Sequence, residues 1–163
     1  MYTGASSQVL ALDIAETDRI VVTTEPLQLH RKVVPQYDAP YVFKPAGLWY
    51  ACGRAWMKYL LGAKEDFEHV YRLHIDDSAM LLLQTEKQLR TFQRDFGRML
   101  AAPGFTRSEV PPRWVEVAEQ YAGIEICPYQ PRLRHKLAWY YSWDVASGCI
   151  WDTRIVQHVE TLL

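Results

Sequence analysis

The stretch FKPAGLWYACGRAWMKYL, residues 43–60, predicts more of the fold than any other part of the chain. Lys44–Gly47 predicts a turn, because Pro fixes φ and Gly tolerates positive φ. Leu48–Ala51 is apolar and aromatic, which predicts a short strand. After a break at Cys52-Gly53, large apolar residues recur in Arg54–Leu61 at the spacing of one helix face. Such a turn, strand and helix can form a core element or one wall of a pocket for a flat ligand.

The composition indicates a folded intracellular protein. The chain has 163 residues, of which 49% are hydrophobic and 13% aromatic, so we expect one domain, 1–163, with a substantial core. The formal net charge of −1 argues against non-specific coating of nucleic acid, although a local basic patch is compatible with it. The sequence shows no signal peptide and no apolar run of membrane length, so we expect a cytoplasmic protein without a membrane partner.

The cysteines and histidines predict no metal site. Cys52, Cys127 and Cys149 are odd in number and far apart, which is typical of free thiols in a reducing compartment. Neither they nor the five histidines have the spacing of zinc ligands. The motifs of phosphate-binding loops, dinucleotide-binding folds and serine hydrolases are also missing from the sequence.

Hydrophobic patterns along the chain predict an α+β fold without regular strand–helix alternation. Thr85 and Gln88 have the spacing of a capping box, which predicts a helix from there to Arg98 with Leu89, Phe92, Phe96 and Met99 facing inward. The other predicted helices are Arg54–Leu61, Trp114–Tyr121 and Asp152–Leu163. The predicted strands are Ile20–Thr24, Leu27–Lys32, Leu48–Ala51, His69–Asp76, Met80–Leu83, Gly123–Cys127, Leu137–Trp143 and Cys149–Trp151.

Several of these segments together resemble the NAD-binding half of ADP-ribosyltransferases. They are Leu27–Arg31, then Gly47–Ala51 with a following helix that carries Trp56 and Tyr59. Tyr121–Ile124 and Trp143–Trp151 are similar to small bacterial and phage-defence members of that superfamily. The resemblance implies a split β-sandwich of two small antiparallel sheets with flanking helices, and NAD bound in the cleft as a substrate without a metal.

The resemblance also implies roles for particular residues. The superfamily usually places a Glu on a late strand, which here would be Glu125. We prefer Asp144 as the acid, because it lies near a Ser-Gly turn where backbone can approach a ligand; Asp152 is a further alternative. Tyr50 is expected to stack on nicotinamide, and His30 or Arg31 to hold a ribose hydroxyl or the pyrophosphate. The remaining residues expected around NAD are Gly47, Trp49, Trp56 and Ser147.

Two basic clusters suggest a macromolecular acceptor. Arg90, Arg94 and Arg98 recur every four residues and would form a stripe on a helix, or simply a solvated face. Arg132 and Arg134 precede a run of aromatic residues, a combination that suits single-stranded nucleic acid. We therefore expect a toxin-like enzyme that modifies RNA or DNA, slightly in preference to protein, and that is restrained by an antitoxin protein. The alternative is a non-catalytic module that binds nucleic acid or protein.

Overall fold

The structure is a computed structural model that describes residues 8–97 and 110–163 of the chain. Residues 8–10 are helical. The helices that follow are α1 (Ala55–Ala63), α2 (Glu86–Phe96), α3 (Trp114–Gln120) and α4 (Ala138–Tyr141). The strands are β1 (Arg19–Thr23), β2 (Leu48–Cys52), β3 (His69–Ile75), β4 (Met80–Leu83), β5 (Gly123–Ile126), β6 (Ser147–Ile150) and β7 (Val156–Thr161).

The seven strands hydrogen-bond into one sheet in the order β4-β5-β6-β2-β1-β3-β7. The sheet is mixed, because β4 and β5 run parallel whereas every other neighbouring pair is antiparallel. The α+β prediction is therefore confirmed. The two small antiparallel sheets implied by the resemblance are not confirmed, since hydrogen bonding is continuous from β4 to β7.

The two faces of the sheet are packed differently. On one face, here called the helix face, Ile20 and Val70 pack with α1, while Ile124 and Cys149 pack with the aromatic residues of α2, α3 and α4. Side chains alternate along a strand, so the neighbouring positions point to the other face. On that face, here called the opposite face, a second apolar cluster includes Tyr50, Cys52, Tyr71 and Leu73.

Helix α2 confirms the capping box. The Thr85 hydroxyl accepts a hydrogen bond from the Gln88 backbone N–H, and the Gln88 side chain accepts one from the Thr85 N–H. Leu89, Phe92 and Phe96 are buried on its inner face, as predicted. The helix ends at Phe96. Met99, predicted on the same face, lies outside the described residues.

Three predicted elements are wrong. Leu27–Lys32 is irregular, because side chains instead of a neighbouring strand accept hydrogen bonds from its backbone. The Leu27 N–H donates to the Tyr71 hydroxyl, and the Lys32 N–H donates to Thr153 Oγ1. The predicted strand Leu137–Trp143 contains α4, which buries Trp139 and Tyr140, and Trp143 just after the helix is buried beside them. The predicted C-terminal helix is instead a 3₁₀ turn and the edge strand β7, which pairs with β3.

The cysteines also depart from the prediction. Cys52 and Cys127 form a disulfide with their Cα atoms 6.5 Å apart, so only Cys149 remains a free thiol. Cys149 is fully buried on the helix face, and burial raises the pKa of its thiol. In the described residues, every helix is too short or too polar to cross a membrane.

Candidate active site

A partly buried carboxylate on β5 lies at the centre of a polar cluster on the opposite face. Glu125 Oε2 accepts a hydrogen bond from Arg19 Nε at 2.6 Å and another from the Tyr50 hydroxyl at 2.6 Å. The Arg19 side chain is 17% exposed and that of Glu125 13% exposed, whereas Tyr50 as a whole is only 2% exposed. One acid thus joins β1, β2 and β5, and it keeps limited access to solvent.

A glycine on β6 makes this contact possible. Strand β6 lies between β5 and β2, and its Gly148 is paired with both Tyr50 and Glu125 in the sheet. A Cβ atom at Gly148 would lie 2.4 Å from both Cζ and the hydroxyl oxygen of Tyr50. The tyrosine ring therefore crosses the space that a side chain at position 148 would fill.

The electrostatics of the cluster keep both donors protonated. Burial raises the pKa of Tyr50 well above its ordinary value, the charge of Glu125 raises it further, and Arg19 only partly opposes this. Burial lowers the pKa of Arg19, but its hydrogen bond and charge interaction with Glu125 raise that pKa by more. Glu125 is consequently held by one neutral and one cationic donor.

The cluster reaches solvent through Asp77 in the turn between β3 and β4. Arg19 Nη2 donates to Asp77 Oδ2 at 3.2 Å, and the Asp77 side chain is 53% exposed. On the other side of the cluster, Cys52 and Cys127 follow Tyr50 and Glu125 by two residues each, so they lie on the same face of the sheet. The two sulfur atoms and a Glu125 carboxylate oxygen are all within 4.8 Å of one another.

This arrangement fits two chemical roles. A carboxylate fixed by two donors can stabilise a cationic centre as it develops in a reaction, without reorganising at that moment. The same network also holds three strands of the sheet together, because breaking it would leave a charge buried without a partner.

The preferred acid of the sequence analysis belongs to a different set of contacts. Asp144 lies between α4 and β6, where its carboxylate is 4.0 Å from Lys44 Nζ and 3.8 Å from Arg134 Nη2. Its side chain is 33% exposed and pairs with cations on the surface. Glu125, the other predicted acid, is the one that the fold brings to Tyr50.

Tyr50 lies in the cluster in a different way from the prediction. Its ring is closed off from solvent and its hydroxyl is engaged with Glu125, so in this structure it presents no surface on which nicotinamide could stack. Trp49 points to the helix face, where its ring packs edge-on against Trp143 at 4.8 Å and Lys44 lies 5.5 Å from its centre. Trp56 contributes, with Trp49 and Ile20, to a pocket of about 110 Å³ beside β2.

The other residues predicted around NAD are dispersed. His30 and Arg31 are exposed in the irregular segment after β1, and the His30 carbonyl accepts a hydrogen bond from Thr153 Oγ1 at 2.7 Å. Gly47 does allow a close backbone approach, but from the chain itself: a Cβ there would lie 2.3 Å from the Ile150 carbonyl oxygen. Ser147 is 3% exposed, and its hydroxyl donates to the Val145 carbonyl.

The two basic clusters meet on one surface. Arg90 and Arg94 are exposed on α2 and line a shallow depression of about 600 Å³. Arg132 Nε lies 3.9 Å from Glu86 Oε1 in the first turn of α2, which brings the loop 131–136 next to the helix. Arg134 lies over the exposed ring of Tyr141, 5.0 Å from its centre. Arg98, the third residue of the predicted stripe, lies outside the described residues.

Sequence reasoning missed Arg19 and the Cys52–Cys127 pair. Arg19 precedes the β-branched run of β1, and a charge at a strand end is ordinarily solvated, so its local sequence is uninformative. The cysteines are 75 residues apart, and only strand pairing brings them together.

Comparison of the chain with protein-family models, with curated proteins and with solved structures finds no match. The assignment of a function therefore depends on the residues of the candidate site itself.

Proposed function

We propose that the protein is a toxin-like, NAD-dependent ADP-ribosyltransferase in which Glu125 is the catalytic acid residue. The observation that supports this is the meeting of Arg19, Tyr50 and Glu125 at a single carboxylate oxygen. The resemblance calls for a His or Arg at the end of the first strand, an aromatic residue from the second and a glutamate from a late strand. Tyr50 on β2 and Glu125 on β5 supply the last two, whereas Arg19 supplies the cation from the beginning of β1.

The proposal changes the roles assigned from sequence. Glu125 replaces Asp144 as the acid, because Asp144 is paired with Lys44 and Arg134 on the surface. Arg19, to which the sequence analysis gives no role, is the cation that contacts the acid. Tyr50 orients the carboxylate instead of stacking on nicotinamide. His30 and Arg31 are exposed, and in this proposal they contact the pyrophosphate.

The chemistry uses the carboxylate directly. The bond between nicotinamide nitrogen and ribose C1′ breaks with both electrons going to the nitrogen, so neutral nicotinamide leaves and positive charge develops on the ribose. The Glu125 carboxylate stabilises that charge electrostatically. An acceptor nucleophile then forms a bond to C1′ and gives up its proton, for which Glu125 is the nearest base of the cluster. The substrate reaches Glu125 from the side of Asp77, where the cluster is open to solvent.

Glu125→Gln tests the acid, because it preserves the shape of the side chain and removes its charge. With NAD at millimolar concentration we expect nicotinamide release, followed by chromatography, to fall by about 10²- to 10³-fold. Asp144→Asn should keep wild-type turnover, and so should Glu119→Gln on the exposed part of α3. Full activity in Glu125→Gln would refute the assignment of the acid.

The use of NAD is tested separately in the wild-type protein. A ligand that binds only the folded state raises its melting temperature by mass action. We expect millimolar NAD to raise the Tm and labelled NAD to transfer label to a macromolecule. If NAD neither shifts the Tm nor is consumed, the transferase proposal fails whatever the variants do.

We propose single-stranded RNA or DNA as the acceptor, with protein as the alternative, because the basic residues of α2 and of the loop 131–136 share a surface with exposed Tyr141. Phosphate contacts make binding depend on salt, with a slope of about −0.7 in log–log form for each phosphate neutralised on a single strand. Arg90→Gln together with Arg132→Gln should therefore reduce the salt slope for an oligonucleotide. The matched control Lys58→Gln, an exposed residue of α1, should leave that slope unchanged.

The same surface also supports the second candidate function, a non-catalytic nucleic-acid or protein-binding module. Salt-dependent binding without NAD consumption would favour that module. Label from NAD on RNA, DNA or protein would favour the transferase and identify the acceptor class. A transferase that modifies such targets in its own cell requires restraint, for which we propose an antitoxin protein.

A further inference from the structure

We propose that Cys52, Cys127 and Glu125 form a binding site for a thiophilic divalent cation of the zinc class when the Cys52–Cys127 disulfide is reduced. The three ligand atoms are within 4.8 Å of one another. In the described part of the chain, they are the only group of three or more Cys, His, Asp or Glu side chains with that proximity. The site shares Glu125 with the transferase proposal, but its test measures metal binding alone and does not depend on any activity.

The backbone geometry accommodates either the disulfide or the metal. The Cα atoms of Cys52 and Cys127 are 6.5 Å apart, near the upper end of the range found for disulfides. Two thiolates bound to tetrahedral zinc have sulfur atoms about 3.8 Å apart, from Zn–S bonds of about 2.3 Å. Because the Cα separation is already wide, rotation of the two side chains can provide this spacing without movement of the strands.

Glu125 completes the set of ligands. Its two side-chain contacts within the described residues, with Arg19 and Tyr50, both fall on Oε2, so Oε1 is available to a cation. Two thiolates and one carboxylate leave the fourth tetrahedral position for water, which is the coordination of open zinc sites. Arg19 and Tyr50 would then be outer partners that orient the carboxylate ligand.

The charges of the occupied site largely balance. Two thiolates and the carboxylate carry three negative charges, while the dication and Arg19 together carry three positive charges. Asp77, the second partner of Arg19, adds one negative charge, but its side chain is 53% exposed and lies at the solvent side of the cluster. A divalent cation that displaces the two thiol protons therefore leaves no unpaired cation in a partly buried site.

The redox step balances with a phosphine reductant and one water molecule. The phosphine gives up two electrons and takes the oxygen atom of water to become a phosphine oxide, and the disulfide gains the two electrons and the two protons of that water to leave thiols on Cys52 and Cys127. The cation then displaces the two thiol protons. Disulfide and metal are consequently alternative states of one pair of sulfur atoms.

Cobalt(II) titration of the full chain tests the proposal, with a phosphine reductant that does not bind the metal through thiols. We expect the reduced wild-type protein to bind one equivalent with intense thiolate-to-cobalt absorption, which zinc then abolishes by displacement. The oxidised protein should show no such absorption. Equal binding by the oxidised and reduced proteins, or no absorption after reduction, would overturn the proposal without any variant.

Variants identify the ligands. Substitution of residues that only orient metal ligands typically weakens metal binding by about 10- to 100-fold. We expect a loss of this size in Glu125→Gln. We expect a loss of at least about 100-fold in Cys52→Ser and in Cys127→Ser, because each removes a thiolate ligand. Cys149→Ala is the matched control, because it removes the third thiol, which is buried on the helix face. If Cys149→Ala abolishes the cobalt absorption and Cys52→Ser preserves it, the proposed site is wrong.

Discussion

Replacement of Tyr50 by Phe removes one oxygen atom from the centre of the cluster and keeps the buried ring. The lost hydrogen bond joins a phenol to a carboxylate at 2.6 Å, and hydrogen bonds to charged groups contribute about 1.5–3 kcal/mol to stability. Glu125 keeps its bond to Arg19 and some access to water, since its side chain is 13% exposed. We therefore expect the free energy of unfolding to fall by an amount near the lower end of that range, about 1.5 kcal/mol at pH 7.

The same substitution should change the dependence of stability on alkaline pH. The pKa of Tyr50 is raised in the folded state, chiefly by burial and then by the charge of Glu125. The unfolded chain therefore loses its Tyr50 proton first, from about pH 10 upward. Below about pH 10 the contribution of Tyr50 to the free energy of unfolding is fully present. As the pH rises from there toward the pKa of Tyr50 in the folded state, that contribution falls by up to about 1.4 kcal/mol per pH unit.

Urea denaturation of the wild type, Tyr50→Phe and Tyr41→Phe at pH 7 and at several pH values between 9 and 11 measures both effects. Tyr41 is 79% exposed, so its variant should follow the wild type throughout. Burial also raises the pKa of Tyr140 and of the Cys149 thiol, but both groups are present in all three proteins and cancel in the difference. A Tyr50→Phe curve parallel to the wild type above pH 10 would refute the reasoning.

Four further substitutions test the packing of the site and of the rest of the fold. Gly148→Ala should displace the Tyr50 ring and lower the Tm, because the added Cβ would lie 2.4 Å from that ring. Gly62→Ala in α1 is the matched control. It should raise the free energy of unfolding by about 0.5–1 kcal/mol, because nothing lies within 4 Å of the added methyl group. A Gly148→Ala protein as stable as the wild type would contradict the contact. Thr85→Ala removes the capping box of α2 and should cost about 1 kcal/mol in urea denaturation. Trp139→Ala removes a fully buried ring and should cost about 3–5 kcal/mol; a loss below 1 kcal/mol would show that the aromatic core is not packed as described.

Predictions from sequence were correct where a signal was local. The Thr85–Gln88 capping box needs only four consecutive residues, and β2 follows from the apolar run Leu48–Ala51. They failed where a distant contact overrides the local preference. The aromatic run in residues 137–143 has high strand propensity, yet it contains a helix, because Trp139 and Tyr140 pack against Phe92 and Trp143.

The candidate site shows the same contrast between local signals, which the sequence contains, and distant contacts, which it does not. The resemblance points to Tyr50 and Glu125, but their direct contact depends on β6 lying between their strands and on Gly148 having no side chain. A nearby Ser-Gly turn favours Asp144 over Glu125 in the sequence. That local signal contains no information on which carboxylate faces the cation of another strand.

By itself, the sequence determined the α+β class, most strand and helix positions and the buried face of α2, because these follow from periodicity and composition over a few neighbouring residues. Only the tertiary structure decided that Arg19 and Tyr50 share one oxygen of Glu125, and that Cys52 meets Cys127 beside it. Strand order and register produce these meetings, and both are set by the packing of the whole sheet. The chemistry proposed for this protein therefore depends on contacts between residues that are up to 106 positions apart in the chain.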